Sequence, residues 1–233
     1  MRHRFALAVA LALASLPSHA TTYILETHHT QGVLRWSHLG FSNPGALFTQ
    51  VEGTLEFDEA DPARSSVTAT IPLAHLSSGL PDLDDDLQSA SFFDKVRFPL
   101  ATFKSTHVEK GAAPGRLKVV GDLSVHGVTR PVALDVVVNR IGVNPRNNVP
   151  SIGFEATATI KRSEFGLGNY VPQVSDEVQV QITCQADEAK AYAERLKADA
   201  ATAAEDAKRA AHDAEAAEKT AMKAMPGANA GKP

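Results

Sequence analysis

Hydrophobic and polar residues alternate at every second position through much of the chain. The alternation is clearest in three segments, 117–126, 154–161 and 178–185. In the first segment Leu117 and Val119 share one face, and the lysine between them occupies the other. A period of two residues is typical of antiparallel strands that shelter one face and expose the other. The pattern therefore predicts three β-strands.

Six other segments alternate in the same way and are separated by turn-forming residues. They are 22–26, 31–38, 47–58, 65–72, 100–107 and 130–141. The breaks include Asp61-Pro62 and the stretches 110–115 and 144–150, where Gly, Pro, Asn and Asp favour turns. Eight or nine strands in about 165 residues predict an all-β domain, either a closed barrel or a sandwich.

One segment departs from the strand pattern. In LPDLDDDLQSASFFD, residues 80–94, Leu83, Leu87 and Ala90 follow helical spacing, and Pro81 is a favourable first helical residue. The segment predicts a short helix that covers one end of the barrel or crosses between strands.

The composition changes abruptly after residue 185. Residues 186–225 contain no Gly or Pro, and 17 of these 40 residues are Ala. Small or apolar residues recur every three or four positions, with Leu196 as the one member that is not Ala. This spacing predicts a charged, alanine-rich helix over 187–225, about 60 Å long at 1.5 Å per residue. Residues 226–233 contain Pro and Gly and are predicted to form a disordered tail.

The alanine-rich helix has two interpretations. Ala, Glu, Lys and Arg favour a helix without any partner, so the segment can be a single solvated helix. The regular seam also resembles an alanine-seamed coiled coil, which would pair with itself or with another envelope component. Such a seam would be weak because alanine buries little apolar area.

The N-terminal residues 1–20 have the pattern of a signal peptide. A basic start, residues 1–4, precedes an apolar stretch, residues 5–16, and Ser18 and Ala20 are small residues before a cleavage site. The apolar stretch is shorter than the roughly 20 residues that span a bilayer, and no later stretch is long enough. We therefore expect export to the periplasm and no transmembrane segment in the mature chain.

Charge and motif content exclude several classes of protein. The formal net charge of −4 argues against nucleic-acid binding, and the single cysteine excludes an intramolecular disulfide and a CxxC zinc site. No phosphate-binding glycine loop or nucleophile elbow occurs, and the histidines lack metal-ligand spacing. No catalytic residue, metal ligand or cofactor is predicted, and the chain is not expected to be an enzyme.

What remains is an interior rich in apolar and aromatic residues. These residues are either simple core or the wall of a cavity, because an eight-stranded barrel can hold one small ligand. By the parity of their strands, five residues are predicted to line such a cavity. They are Leu34, Trp36, Phe57, Phe103 and Phe154.

Several segments, in order, are similar to the YceI-like family. They are residues 29–40, GTLEFD (53–58), LQSASFFDKVRFP (87–99), TFKST (102–106), GDLSVHGVTRPV (121–132), RSEFGLG (162–168) and VSDEVQVQI (174–182). The resemblance covers almost all of 21–186. It implies an exported, lipocalin-like, eight-stranded antiparallel barrel whose elongated apolar cavity binds a long isoprenoid chain, such as a polyprenyl phosphate or a quinone.

Two departures from the family pattern concern the ligand's head group. The family usually has Arg-Asp-x-His-Leu before the double Phe, whereas this chain has Leu83 for the Arg and Asp86 for the His. Leu47 stands where another family Arg is usual. A lost cation and an added acid disfavour a phosphate, so a neutral, quinone-like head is expected.

Two functions follow from these features. The first is an exported binding or carrier protein that holds a polyisoprenoid or similar long-chain lipid. The alternative is an envelope interaction or structural protein that acts through the helix 187–225, with the barrel as a packed scaffold.

Overall fold

A computed structural model describes residues 20–224. The predicted signal peptide, apart from Ala20, and the predicted tail 226–233 lie outside these residues. The strands are β1 (Thr21–Leu25), β2 (Gln31–Arg35), β3 (Gly45–Phe48), β4 (Glu52–Phe57), β5 (Ser66–Pro72), β6 (Leu76–Ser77), β7 (Leu100–Lys110), β8 (Arg116–Val125), β9 (Val128–Val143), β10 (Pro150–Lys161) and β11 (Glu177–Glu188). The helices are α1 (Pro81–Gln88) and α2 (Ala189–Ala224), with short 3-10 helices at Pro62–Arg64, Leu73–His75 and Arg162–Phe165.

Eight of these strands close into an antiparallel barrel. Their order is β1, β4, β5, β7, β8, β9, β10 and β11, and β11 returns to β1. The ring closes at β1, where Tyr23 pairs with Leu55 of β4 on one side and with Glu188 of β11 on the other. The predicted eight-stranded barrel is confirmed, and the sandwich is wrong.

The other three strands extend the sheet beside β11. The last residues of β11 pair with β1, whereas Gln179–Thr183 pair with β2, which leads on to β3 and β6. The single strand predicted over 47–58 is wrong, because the chain breaks into β3 and β4. Gln50 lies at this break with a φ of 56°, a left-handed conformation that does not fit a continuous strand.

The antiparallel order places the connections at two ends of the barrel. The connections β2–β3, β5–β7, β8–β9 and β10–β11 lie at one end, here called the upper end, together with α1. The connections β4–β5, β7–β8 and β9–β10 lie at the lower end. The helix α2 directly follows β11, so it also leaves the barrel at the lower end.

A two-residue turn joins β8 to β9 at the upper end. His126 and Gly127 have φ angles of 52° and 74°, as a tight hairpin turn of primed type requires. A side chain at Gly127 would lie 2.7 Å from the ring of Phe98. The Phe98 ring also packs edge-on against His126, with ring centroids 4.9 Å apart, and so joins the turn to the segment before β7.

The hydrophobic core fills the barrel and continues at the upper end. The main cluster includes Phe57 on β4 and Phe103 on β7, two strands that only β5 separates in the ring. A smaller cluster surrounds Phe165, which is 2% exposed and packs with Leu73, Ala101, Val125 and Leu167. This second cluster supports the connections around the upper end.

Helix α1 forms where the sequence predicts a short helix. It begins at Pro81 and ends at Gln88, and its Leu87 is buried against the barrel interior. The backbone N–H of Phe93 donates to the carbonyl of Leu87 at 3.0 Å, so the chain folds back beneath the helix end. The helix therefore covers part of the upper end.

Helix α2 is long and largely exposed. It begins at Ala189 instead of residue 187, because β11 continues to Glu188 in order to pair with Tyr23. Ion pairs within the helix, such as Lys197 with Glu194 at 3.1 Å, neutralise charges locally. Within residues 20–224, no helix combines the length and the apolar character needed to cross a membrane.

Candidate functional site

A cavity of about 510 Å³ runs through the barrel between its upper and lower connections. Inward-facing side chains from all eight barrel strands form most of its wall. All five residues predicted from strand parity contribute to this wall, namely Leu34, Trp36, Phe57, Phe103 and Phe154. The structure thus brings them together around one space, and their part in ligand binding stays a prediction.

Two aromatic rings occupy the space beside glycines on neighbouring strands. A Cβ at Gly121 would lie 2.4 Å from the ring of Phe103, and a Cβ at Gly32 would lie 2.0 Å from the ring of Phe48. Because these glycines have no side chain, both rings can pack directly against the backbone of the barrel wall. These two glycines therefore keep space open in the cavity.

Helix α1 supplies a further part of the wall, which strand parity alone does not predict. Leu83 and Leu87 of this helix and Phe93 after it line the cavity from above. The spacing of Leu83 and Leu87 marks one apolar helix face, which is a signal strong enough to assign both residues to the interior.

The cavity reaches solvent mainly at the upper end. Five lining residues are exposed, and four of them lie there: His38, Asp86, Ser91 and Tyr170. The fifth, Ser66, lies at the lower end. We call the upper opening, between the segments 36–44, 81–93 and 162–175, the mouth.

Contacts between the three segments fix the shape of the mouth. The backbone N–H of Leu39 donates to the carbonyl of Gln173 at 2.9 Å. The side-chain amide of Asn169 donates to the carbonyl of Ser91 at 2.6 Å. The segment 162–175 is therefore tied to both of the others.

Arg162 is buried in the cavity wall, but its guanidinium is already occupied. It donates to the backbone carbonyls of Leu167, Asn169, Val174 and Ser175. Burial lowers its pKa, and the nearby carboxylate of Asp176 opposes this shift. A guanidinium has about five N–H donors, and four hydrogen bonds from Arg162 go to these carbonyl groups. Arg162 therefore holds the segment 167–175 in place and has little capacity left to bind an anionic ligand.

The lower part of the cavity contains few polar groups, and these are neutral or satisfied. The hydroxyl of Thr30 donates to the carbonyl of Gln185 at 3.1 Å. Burial raises the pKa of the neighbouring Cys184 thiol to about 11, so the sulfur is uncharged at neutral pH. This part of the cavity suits an apolar chain.

The three acidic residues of α1 have different surroundings. The carboxylate of Asp84 accepts hydrogen bonds from the hydroxyls of Ser77 and Ser78, both at 2.6 Å, and these bonds lower its pKa. Asp85 is exposed and lies outside the cavity wall, whereas Asp86 lies at the mouth. Only Asp86 among the three can therefore meet the head group of a ligand.

The two departures from the family pattern also differ in their positions. Leu83 lines the cavity, but Leu47 points outward from β3 and is 36% exposed. Its neighbours Ala46 and Phe48 take the inward positions, since successive side chains alternate along a strand. The expectation that Leu47 influences the head group is therefore wrong.

No group of three or more histidine, cysteine or acidic side chains with the geometry of a metal site occurs within residues 20–224. The histidines His28 and His29 instead contact the carboxylate of Glu26, at 2.7 and 2.6 Å. These bonds lower the pKa of Glu26 against the opposing effect of its burial.

Comparisons with known proteins agree with this architecture. The family described as YceI-like domain matches residues 23–186. Protein YceI of Escherichia coli is 33% identical over 165 residues, which are 71% of this chain and 85% of the relative.

Solved structures extend the likeness to the fold. The YceI protein of Campylobacter jejuni is 27% identical and superimposes with a TM-score of 0.59, over 65% of this chain and 89% of that chain. A polyisoprenoid binding domain from Saccharophagus degradans, implicated in plant cell wall breakdown, is 15% identical, with a TM-score of 0.55 over 72% and 99% of the two chains. The resemblance seen in the sequence is confirmed, and the chain belongs to the YceI-like family.

Proposed function

We propose that the protein binds a long-chain isoprenoid lipid inside its barrel and acts as an exported carrier of that lipid. The observation that carries this proposal is the apolar cavity of about 510 Å³ that extends from the mouth to the surroundings of Cys184. Its volume lies within the range of roughly 300–1,000 Å³ that is usual for small-molecule sites. Each buried methylene of a lipid chain would contribute about 0.8 kcal/mol.

The shared fold supports an isoprenoid as the cargo. The domain from Saccharophagus degradans, which has this fold, is described as polyisoprenoid binding. A branched, flexible isoprenoid chain matches an elongated cavity whose wall combines aliphatic side chains with the rings of Phe103 and Phe154.

The charges around the cavity favour an uncharged head group, such as a quinone. Arg162 is the one lysine or arginine in the cavity wall among residues 20–224, and carbonyl groups occupy its guanidinium. Asp86 adds a carboxylate at the mouth, where a phosphate would meet like charge. A neutral head avoids this repulsion.

A periplasmic location is part of this proposal, and it is supported by the signal peptide predicted over residues 1–20. Binding without catalysis is proposed, since the polar side chains at the cavity within 20–224 are mostly exposed at its mouth or bonded to backbone. Thr30 and Arg162 are of the bonded kind.

Mass spectrometry of the exported protein tests this proposal. The full chain is expressed with residues 1–20, purified from the periplasm and extracted with organic solvent. We expect one prenyl lipid with an uncharged head per protein molecule, and none from a Leu34→Asp variant. A phosphorylated prenyl lipid would contradict the head-group assignment, and an equal yield from both proteins would contradict binding in the cavity.

The exposed α2 supports a second candidate function, contact with an envelope partner or a second copy. The helix leaves the lower end of the barrel, opposite the mouth, and its described side chains from residue 198 onward are exposed. A partner on this helix would therefore leave the mouth open.

A further inference from the structure

Large apolar side chains stand in solvent beside the mouth. Phe41 is 92% exposed, Tyr170 is 68% exposed and Leu39 is 51% exposed, and Val171 adds a further 37% exposed side chain. We call these four residues the apolar rim. Single exposed apolar residues are common on proteins, but a group of them around an opening marks an interaction surface.

Backbone contacts join the two segments that carry the apolar rim. An isolated bridge pairs His38 with Val174, and the backbone N–H of Val174 donates to the carbonyl of Tyr170 at 2.8 Å. Phe41 is linked to the same turn, since its N–H donates to the carbonyl of His38 at 3.0 Å. Tyr170 also lines the cavity, so the rim continues directly into the cavity wall.

The backbone conformation of the rim is unusual for its residue types. Leu39 and Tyr170 have φ angles of 55° and 65°, in the left-handed region that bulky residues rarely adopt. Glycine or asparagine would fit these positions with less strain. Both turns therefore present large apolar side chains to solvent at a conformational cost.

The charges around the rim indicate what kind of surface it fits. The segments 39–44 and 165–175 contain no Asp, Glu, Lys or Arg. Beside them, α1 carries Asp85 and Asp86, which are exposed and would repel anionic lipids. The exposed Lys95 and Arg97 follow in the same connection, but Arg97 contacts the carboxylate of Asp94 at 3.4 Å and Lys95 donates to Gln88. An uncharged apolar rim next to carboxylates is complementary to a bilayer with no net charge, into which side chains can insert without desolvating ions.

We propose that the apolar rim docks the mouth onto a zwitterionic phospholipid bilayer. This inference rests on the proposed function, because a docked mouth lets an isoprenoid chain pass between membrane and cavity without crossing water. The helix α2 begins at the opposite end of the barrel and does not obstruct this contact.

Vesicle flotation tests the docking. The exported, processed protein is mixed with vesicles of phosphatidylcholine alone, or of phosphatidylcholine with two-fifths phosphatidylglycerol. Phe41→Asp places a charge on the rim and leaves the cavity wall unchanged, since Phe41 does not line it. Val143→Asp is the matched control, because Val143 is 54% exposed at the lower end of the barrel.

We expect the wild-type protein to float with phosphatidylcholine vesicles and to bind the anionic vesicles less well. Loss of one inserted aromatic ring predicts vesicle binding at least about tenfold weaker for Phe41→Asp. Val143→Asp should bind as the wild type does. Equal binding by Phe41→Asp, preference for anionic vesicles, or no flotation of the wild type would overturn the docking. A dimer that Phe41→Asp abolishes would instead assign the rim to a second copy.

Quenching of tryptophan fluorescence distinguishes a failure of the docking from a failure of the proposed lipid binding. Trp36 is the only tryptophan of the chain and lines the cavity, so a decyl-chain benzoquinone that enters the cavity should quench its fluorescence. Quenching in Phe41→Asp without flotation supports docking through the rim. Flotation of the wild type without quenching would contradict the lipid cargo and leave the docking intact. Quenching of the wild type without flotation would contradict the docking alone.

Discussion

The rings of Phe57 and Phe154 meet edge to face inside the barrel, with their centroids 6.1 Å apart and their planes inclined at 68°. Their strands, β4 and β10, are not neighbours, since β1 and β11 lie between them in the ring. The contact therefore bridges the interior and narrows the lower part of the cavity.

Removal of one of these rings should lengthen the space available to a ligand chain. Phe154→Ala is expected to shift the extracted lipids toward longer chains and to lower the free energy of unfolding by about 2 kcal/mol, below the usual cost of a fully buried Phe because Phe154 borders a cavity. Extraction with mass spectrometry and urea denaturation measure the two effects. Phe154→Leu serves as the control, and an unchanged chain length in the Ala variant would contradict a role in setting length.

A charge inside the cavity should prevent binding, whereas the same charge outside should not. Leu34 lines the cavity, and Leu47 lies on the adjacent strand with its side chain turned outward. Quenching of Trp36 by a decyl-chain benzoquinone should disappear in Leu34→Asp and persist in Leu47→Asp. Circular dichroism checks that both variants keep the barrel. Loss of quenching in both folded variants would contradict the assignment of the two faces.

The thiol of Cys184 makes stability depend on pH in the alkaline range. Its pKa is raised from 9.0 to about 11, so the unfolded chain releases the thiol proton at a lower pH than the folded chain. This contribution to stability is therefore complete below pH 9 and is lost as the pH rises toward 11. Urea denaturation should show a loss between pH 8 and pH 10.5 that is on the order of 1–2 kcal/mol larger in the wild type than in Cys184→Ala. Identical pH profiles would contradict this.

Loss of the buried guanidinium should release the segment that borders the mouth. Arg162→Gln leaves backbone carbonyls of residues 167–175 without their donors, which predicts a loss of about 2–4 kcal/mol in the free energy of unfolding. Arg162→Lys should not restore it, because one ammonium group cannot reproduce the planar donor geometry. Hydrogen exchange within 166–175 measures the local effect, with the exposed Arg130→Gln as control. Unchanged exchange in Arg162→Gln would show that other contacts hold the segment.

The end of β11 decides where the helix can be removed. Truncation after Glu188 keeps the pairing with Tyr23 and should leave a folded barrel. Truncation after Ala186 removes Asp187, which is fully buried and accepts a hydrogen bond from Ser151 at 2.7 Å, and should destabilise the barrel. Thermal denaturation compares the two variants.

Sedimentation of the full chain beside the chain ending at Glu188 tests the second candidate function. If the measured mass of the shortened chain is lower than that of the full chain by more than the mass of the helix, self-association through α2 is supported. If both chains sediment as monomers, the result favours a single solvated helix or a different partner.

The sequence predicts most of the barrel because its strands carry a local signal. Leu117 and Val119 alternate with polar neighbours, and both are buried in the structure. The break at Gln50 is not visible in the same way, since polar residues occur regularly on strands and a left-handed φ depends on surrounding structure. The same break separates the alternation of β3 from that of β4. It therefore also determines which residues of β3 face the cavity, and Leu47 faces outward.

The mouth could not be predicted from periodicity. Its shape depends on contacts between segments far apart in the chain, such as Leu39 with Gln173 and Asn169 with Ser91. Arg162 illustrates a related limit. The carbonyl groups that it binds are only 5 to 13 residues along the chain, but the fold of the segment 167–175 around the guanidinium follows no periodic pattern. The alternation of side chains does predict which strand residues line the cavity, because each strand has only two faces.

The pairing of β1 with β11 has a consequence for how the chain folds. Tyr23 and Glu188 are 165 residues apart (188 minus 23), so the first and last strands must find each other across nearly the whole domain. Long-range closure of this kind is slow compared with the formation of local hairpins such as β8–β9. A nascent chain cannot complete the ring before Glu188 is free. Until that moment any sheet that has formed stays open, and the edge of β1 that faces β11 in the closed ring lacks its partner.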